Sequence, residues 1–280
     1  LKHMQTLTDN LTDEKVAAVS RDLTAIRDRV ITEKGLKVGL VGEARDLTAS
    51  LEFLGADGPF SGISAFTPGD AGFTAPPVPL EDASVNEGWS TSSAVSFVAK
   101  TIRTVRMEHA DSPALAVISK MMRSMYLHRE IREKGGAYGG FALYSSETGL
   151  FNFASYRDPH ILSTLAAFEG AAEFMLTGNY TAEDIKEAIL QVCSEIDKPD
   201  PPGPAAKKAF YRGLVNLTDD ARRRFKERLL ELKHADVVHA AQTYFSPGEN
   251  EQGVAVISGE EQLKKANETK ADPPLKINKI

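Results

Sequence analysis

Cysteine is almost absent from this sequence. One cysteine, Cys193, among 280 residues excludes an intramolecular disulfide and a cysteine-based zinc cluster. It lies between the apolar residues Ile189 and Ile196, which is typical of a buried structural thiol rather than a reactive one. A reducing compartment is therefore allowed, and the cellular location stays open.

Long apolar runs and an excess of positive charge are also missing. No run approaches the ~20 apolar residues that a membrane-spanning helix needs. The net charge is −6 and the pI is about 5.6, so no global field attracts nucleic acid or an anionic membrane. The short run Arg222-Arg223-Arg224 is typical of the solvated face of a helix. We therefore expect neither a nucleic-acid nor a membrane partner.

A zinc-binding histidine pair is the third absence. None of the six histidines has a second one at the i, i+4 spacing that sets two ligands on one helix face. His234 and His239 are five residues apart, and His128 is followed by Ile131 and Arg132, where His-x-x-Glu-His requires glutamate and histidine. P-loop and nucleophile-elbow motifs are missing as well. The chain by itself is therefore expected to hold no metal and to be inactive.

The composition is that of an ordinary globular protein, with 42% apolar and 26% charged residues. One stretch of the chain departs from it. Residues 55–88 contain five prolines and six glycines, which predicts an interdomain linker. Residues 1–54 before it have the pattern of a helix, a strand at 36–42 and a second helix. Residues 89–280 after it predict a domain of strands and helices.

An internal echo connects the two ends of the chain. Val38–Glu43 and Val254–Glu260 both read as an apolar strand, then Gly-Glu, then a helix. Tandem copies of one domain produce such an echo, and residues 1–54 are then the tail of a preceding, homologous domain. Coincidence is the alternative, because strand–Gly–helix is common in α/β proteins. Both interpretations stay open at this point.

The junction around residue 135 carries the most specific pattern. Ser112-Pro113 is expected to cap a long helix, which Gly135 and Gly136 end. Arg132 and Tyr138 flank this turn. An arginine in the last turn of a helix complements the helix dipole, and a tyrosine beginning a strand is ordinary packing, so residue chemistry alone favours a structural role for both.

The same segment resembles a family pattern. His-Arg-Glu-Ile-Arg-Glu-Lys-Gly-Gly-Ala-Tyr-Gly, which begins at His128, is similar to the helix-to-strand junction in the second half of pitrilysin-type zinc peptidases. Three further stretches, Phe153–Pro159, Ile196–Pro204 and Leu217–Arg228, resemble the presequence-protease and falcilysin branch. The resemblance runs in order over residues 89–260.

The resemblance implies a fold and a division of labour. The fold is α+β, a LuxS/MPP-like domain whose antiparallel-rich sheet has helices packed on one face. Family members have four related domains, with the zinc motif in the first. In the assembled enzyme, Arg132 and Tyr138 bind substrate and stabilise the oxyanion, while Gly135 and Gly136 shape the turn. The implied partners are an amino-terminal catalytic half of the same polypeptide, which holds zinc, and short unstructured peptides.

Two other hypotheses stay open. One is a non-catalytic peptide-binding or assembly module that acts with a separate zinc-bearing chain, and the other is an unrelated sandwich domain with no peptide role. Residues 1–54, cut from their sheet, expose an apolar stripe. We expect this segment either to pack onto the main domain or to drive self-association.

Overall fold

The computed structural model describes residues 2–30, 37–55, 86–246, 248, 251–269 and 274–279. The chain divides into two compact units. The amino-terminal unit comprises residues 1–77 and 199–217, and the sheet unit comprises residues 78–198 and 218–280. No helix in the described ranges is both long and apolar enough to cross a membrane. Most of the predicted linker 55–88 lies outside the described residues.

Helices account for most of the described residues. The α-helices are α1 Lys2–Asp9, α2 Asp13–Val30, α3 Ala44–Gly55, α4 Ser112–Met121, α5 Leu162–Thr177, α6 Ala182–Asp197, α7 Pro202–Leu214, α8 Asp219–Leu230, α9 His234–Phe245 and α10 Glu260–Glu268, and a π-helix spans Met122–Lys134. The strands are β1 Asn86–Thr91, β2 Phe97–Arg103, β3 Gly139–Ser145, β4 Leu150–Tyr156, β5 Gln252–Gly259 and β6 Lys276–Lys279.

The amino-terminal unit contains α1, α2, α3 and α7. Its predicted strand at 36–42 is wrong for the residues that the structure describes, because 37–42 form no strand. An apolar run becomes a strand only where a neighbouring strand pairs with its backbone, and the described part of this unit holds none. The run lies against a helix instead, with the Phe210 ring of α7 beside Gly39.

The sheet unit is built on six strands in the order β3-β4-β2-β5-β1-β6. The pairs β3–β4, β4–β2 and β2–β5 are antiparallel, and β1 pairs in parallel with β5 and β6. The predicted α+β class with an antiparallel-rich sheet is confirmed, and the sheet is mixed. Because β1 begins at Asn86, the last residues of the predicted linker belong to the sheet.

Helices cover one face of this sheet. Val98 and Ile102 of β2 and Phe151 and Phe153 of β4 are buried beneath them, as the two-residue period of a strand requires. The π-helix, α4, α5 and α10 contact the strands directly. Residues at the alternate positions, among them Tyr156, point to the opposite face. We call it the helix-free face, because no helix among the described residues of the sheet unit covers it.

The helix ends contain one capping box and correct the predicted cap at Ser112. Thr181 and Asp184 form the capping box of α6, with Asp184 N–H donating to Thr181 Oγ1 at 3.2 Å and Thr181 N–H donating to Asp184 Oδ2 at 2.7 Å. Ser112 does not cap α4. Asp111 is the cap residue there and makes no side-chain cap bond. The Ser112 hydroxyl is buried and shares a 2.8 Å hydrogen bond with the Tyr144 hydroxyl instead.

The long helix predicted after Ser112 consists of two segments with different hydrogen bonding. The helix expected from Ser112 to Ile131 is α-helical only to Met121 and continues as the π-helix. Further along the chain, residues 202–245 contain three helices, α7, α8 and α9.

Candidate functional site

The π-helix ends in a tight turn that precedes β3. Gly136 N–H donates to Arg132 O at 3.1 Å, and Ala137 N–H donates to Ile131 O at 3.1 Å. Gly136 has φ +74°, the left-handed conformation that closes many helices and that glycine adopts without strain. These bonds draw the chain back on itself within a few residues.

Gly135 is required in this turn for a different reason. Its φ of −83° is ordinary, but a Cβ built on it would lie 2.6 Å from Ile131 O and 3.0 Å from Glu130 O. Both distances are inside normal van der Waals contact. The turn therefore needs one glycine for its backbone conformation and the other for lack of space.

Arg132 leaves this turn with an exposed side chain. Its acidic neighbour, Glu130, is already engaged by Lys134 Nζ at 2.9 Å and by Arg129 Nε at 2.8 Å. The hydrogen bond from Lys134, followed by that from Arg129, lowers the pKa of the Glu130 carboxyl. Across the described residues, the Arg132 guanidinium has no ion pair or hydrogen bond, so its five donors are available to a ligand.

Tyr138 lies at the other end of the turn, and its side chain is 68% exposed. Its backbone N–H donates to Tyr156 O at 3.1 Å, which fixes the start of β3 against the end of β4. Its ring meets the Tyr156 ring edge-on with centroids 5.7 Å apart, and Tyr156 meets Phe97 in the same way at 5.3 Å. We call Tyr138, Tyr156 and Phe97 the aromatic strip. It lies on the helix-free face.

The residues after Tyr156 have a structural role. Arg157 has φ +51°, and Asp158 is buried, with its Oδ1 accepting from His160 N–H at 2.9 Å and its Oδ2 from Thr164 Oγ1 at 2.7 Å. Both carboxylate oxygens are therefore occupied within the turn that leads into α5, as in other aspartate-bound turns. Asp158 is therefore a buried structural residue of this turn.

The remaining candidate groups are not brought together. His128 Nδ1 lies 3.3 Å from Glu133, and His234 Nε2 lies 3.1 Å from Gly178 O. Cys193 is half-buried against the core. Within the described ranges no three side chains of His, Cys, Asp and Glu form a group that could hold a metal ion. These residues therefore do not fit the zinc ion that the family resemblance implies.

The basic run Arg222-Arg223-Arg224 is likewise engaged. Its three guanidiniums lie 2.7–3.5 Å from carboxylate oxygens of Asp219, Asp220 and Glu108. This is a solvated helix face of paired charges, as the sequence predicted.

Sequence reasoning missed the aromatic strip as a unit. It pointed to Tyr138 through the family resemblance of the helix-to-strand junction, and it included Tyr156 only within the family-like stretch Phe153–Pro159. Phe97 carried no signal, because its approach to Tyr156 depends on the pairing of β2 with β4. That register is set by long-range contacts that one sequence does not display.

Solved structures define the class of fold. A protease from Helicobacter pylori matches with a TM-score of 0.53 and 18% identity, over 66% of this chain and 48% of that one. An inactive M16 peptidase domain from Pseudomonas fluorescens matches with a TM-score of 0.52 and 15% identity, over 67% of this chain and 46% of that one. At such identities the similarity shows the fold alone, which is that of M16 peptidase domains.

The sequence comparison is more specific. The model of the presequence-protease (PreP) C-terminal domain matches residues 87–260. The chain therefore belongs to this family, within the M16 or pitrilysin peptidases, and the resemblance found in the sequence is confirmed. Curated relatives include mitochondrial presequence proteases of Danio rerio, 40% identical over 168 residues, and of Xenopus tropicalis, 37% identical over 172 residues.

These relatives are much longer than the chain. The matched region covers 60–61% of this chain but 16% of either relative. The matched region of this chain thus corresponds to the C-terminal part of larger presequence proteases.

Proposed function

We propose that this chain is the substrate-binding half-site of a zinc metalloendopeptidase that degrades short unstructured peptides. In this proposal zinc and the general base lie in an amino-terminal half of the same polypeptide. One observation carries the proposal: an exposed guanidinium, which has no partner among the described residues, and an exposed phenol of the aromatic strip flank one turn. Membership of the presequence-protease family supports the same assignment.

The two side chains have distinct roles in this proposal. The planar fork of Arg132 grips a carbonyl or carboxylate of the peptide through two parallel hydrogen bonds. The Tyr138 hydroxyl donates to the carbonyl oxygen on which negative charge develops during hydrolysis. The aromatic strip packs against apolar side chains of an extended peptide. Since none of these contacts reads a particular sequence, we expect selection by length and flexibility.

The roles separate in two measurements. Anisotropy of a labelled unstructured peptide reports binding to the chain alone, and turnover is measured after joining the chain to the amino-terminal region of a presequence protease. Arg132→Ala removes a charge-assisted contact and should weaken binding about tenfold. Tyr138→Phe should leave binding nearly unchanged and lower turnover about a hundredfold, because its hydrogen bond strengthens only as charge develops.

Matched variants control for general effects. Arg129→Ala removes another exposed arginine of the same π-helix, and Tyr211→Phe removes the hydroxyl of another exposed tyrosine; neither should change binding or turnover. Normal turnover in both Arg132→Ala and Tyr138→Phe would remove the site assignment. Binding that depends on Arg132 without any effect on turnover would instead favour the peptide-binding or assembly module. Stoichiometric zinc and hydrolysis by the chain alone would contradict the division of labour.

We also propose that residues 1–54 are the tail of a preceding homologous domain. The described part of this segment exposes apolar side chains on α2 and α3, namely Val16, Leu23, Ile26, Leu51 and Phe53. Such a surface is unusual for a free monomer, and we expect the isolated chain to self-associate through it.

Light scattering across a concentration series tests this expectation. Leu23→Glu with Ile26→Glu should shift the chain toward monomer, because two charges then interrupt the apolar stripe. Ala17→Glu, on another side of α2, is the matched control and should leave association unchanged. A wild-type chain that stays monomeric at all concentrations would rule out self-association through this surface.

A further inference from the structure

The helix-covered side of the sheet contains a cavity with charged and aromatic walls. It has a volume of about 150 Å³ and lies among β2, β4, α5 and α9 in the sheet unit. Its walls include Lys100, Phe153, Phe168, Ala172, Glu173 and Phe245. It opens on the side of the sheet away from the aromatic strip.

Lys100 is the unusual member of this wall. It occupies an inward position on β2 between Val98 and Ile102, and its side chain is only 7% exposed. A buried ammonium is unfavourable unless it is paired and hydrogen-bonded. Within the described residues its partner is Glu169 of α5. An ammonium has three N–H donors, so this partner leaves donor capacity directed into the cavity.

The floor of the cavity is aromatic. Phe153 stacks on Phe168 with centroids 5.3 Å apart, and the Phe245 ring stands edge-on to Phe153 at 6.5 Å. An apolar cavity of this volume admits a molecule the size of benzene, about six heavy atoms. The space therefore suits one branched or small aromatic side chain and not a folded peptide.

A second carboxylate completes the arrangement. Glu173 follows Glu169 by four residues on α5, so both lie on one side of that helix, with Cβ atoms about 5–6 Å apart. Glu173 is exposed, lines the cavity and has no partner in the described part of the chain. One ammonium beside two carboxylates disfavours a simple anion. The arrangement complements a ligand that carries a positive and a negative group on the same carbon atom.

We propose that this cavity binds a free α-amino acid with a branched apolar side chain, such as leucine. The carboxylate of the amino acid accepts from Lys100, its ammonium donates to Glu173, and its side chain fills the space over Phe153 and Phe168. The site lies in the sheet unit and uses none of the residues assigned to peptide binding. It stands whether or not the proposed peptidase function holds.

Calorimetric titration of the full chain with L-leucine tests the proposal, and three analogues resolve the contacts. L-leucinamide lacks the carboxylate, 4-methylpentanoate lacks the ammonium, and glycine lacks the side chain. Leucine should bind with millimolar or better affinity. Each analogue should bind at least about tenfold more weakly, which is the effect of losing one charged contact or the apolar contact.

Variants assign the binding to this cavity. Lys100→Met preserves volume, and the carboxylate it leaves behind is tolerable because the Glu169 side chain is 59% exposed to water. Glu173→Gln removes the second charge at an exposed position, and Ala172→Leu fills the cavity without changing any charge. Each should weaken leucine binding about tenfold or more. Glu187→Gln, at an exposed position of α6, is the control and should bind leucine normally.

Circular dichroism and the emission of Trp89 check that each variant is folded. Absence of leucine binding at millimolar concentration would overturn the proposal. Wild-type affinity for leucine in Lys100→Met, Glu173→Gln and Ala172→Leu would also overturn it, since the ligand would then lie elsewhere. Leucinamide or 4-methylpentanoate binding as tightly as leucine would refute recognition of a zwitterion.

Discussion

Replacing each glycine of the site turn separately tests why two are needed. Gly136 has a left-handed backbone with nothing within 4 Å of an added Cβ, whereas Gly135 has an ordinary backbone and no room. Alanine at either position should destabilise the sheet unit. Asparagine distinguishes the causes, because it tolerates the left-handed region better than other residues but has the same Cβ as alanine.

The magnitudes follow from this geometry. Left-handed backbone costs a non-glycine residue about 1–2 kcal/mol, part of which is offset by the stiffer unfolded chain. Gly136→Ala should therefore cost about 1 kcal/mol, and Gly136→Asn clearly less. At Gly135 the new Cβ lies 2.6 Å from Ile131 O, and relieving such overpacking costs about 1–3 kcal/mol. Asparagine at this position should be no better than alanine.

Urea unfolding followed by fluorescence provides the measurement. Trp89 is the single tryptophan of the chain and lies in β1, so its emission reports on the sheet unit. The four variants should rank with Gly136→Asn closest to wild type. If asparagine rescues position 135 as well as position 136, the space argument is wrong. If Gly136→Ala is as stable as wild type, the turn does not hold its left-handed residue in solution.

Three further predictions concern the frame around the site. Thr181→Ala removes the capping box of α6 and should cost about 1 kcal/mol at neutral pH. Hydrogen bonds from the Thr181 backbone and then from its side chain lower the pKa of Asp184. The stabilisation by the ionised Asp184 should therefore be lost in the wild-type chain as pH falls through that lowered pKa. Burial raises the pKa of Tyr144 from 10.0 to about 12. The contribution of its protonated hydroxyl to stability is therefore present below pH 10 and is lost as pH rises toward 12. Tyr144→Phe should remove one late step from the tyrosinate absorbance titration. Phe225→Ala in α8, where the ring is buried, should cost about 3–5 kcal/mol in urea unfolding, and a loss below 1 kcal/mol would mean that α8 is not packed as described.

Local signals predicted the elements that depend on local chemistry. The capping box of Thr181 and the strand β5 follow from residues a few positions apart. The strand expected at 36–42 failed because a short apolar run has the same pattern whether a strand or a helix packs on it. Here the described residues lie beside Phe210, which is more than 160 positions away in the sequence, and no local pattern contains that contact.

The candidate site divides in the same way. The glycine turn was predicted from its local pattern, because a helix end and a strand start are local events, whereas Arg132 and Tyr138 were singled out by the family resemblance. The π-helix was not predicted, since sequence periodicity does not separate i+5 from i+4 hydrogen bonding over a short segment. π-Helical segments are rare in proteins, and those that occur are often found at functional sites. Its presence through Arg132 agrees with the proposed role, and only the structure reveals it.

Lys100 shows why the cavity escaped sequence reasoning. In Phe-Val-Ala-Lys-Thr-Ile-Arg of β2, apolar residues occupy both alternate sets of positions, so periodicity does not say which set faces the helices. A lysine in such a strand is normally assigned to solvent. Pairing of Lys100 with Phe153 of β4 instead sets it on the covered face. Hydrophobic packing explains why Phe97 and Val98 lie on opposite faces, but it does not explain an ammonium beneath α5. A ligand that accepts from the remaining N–H donors of Lys100 explains it.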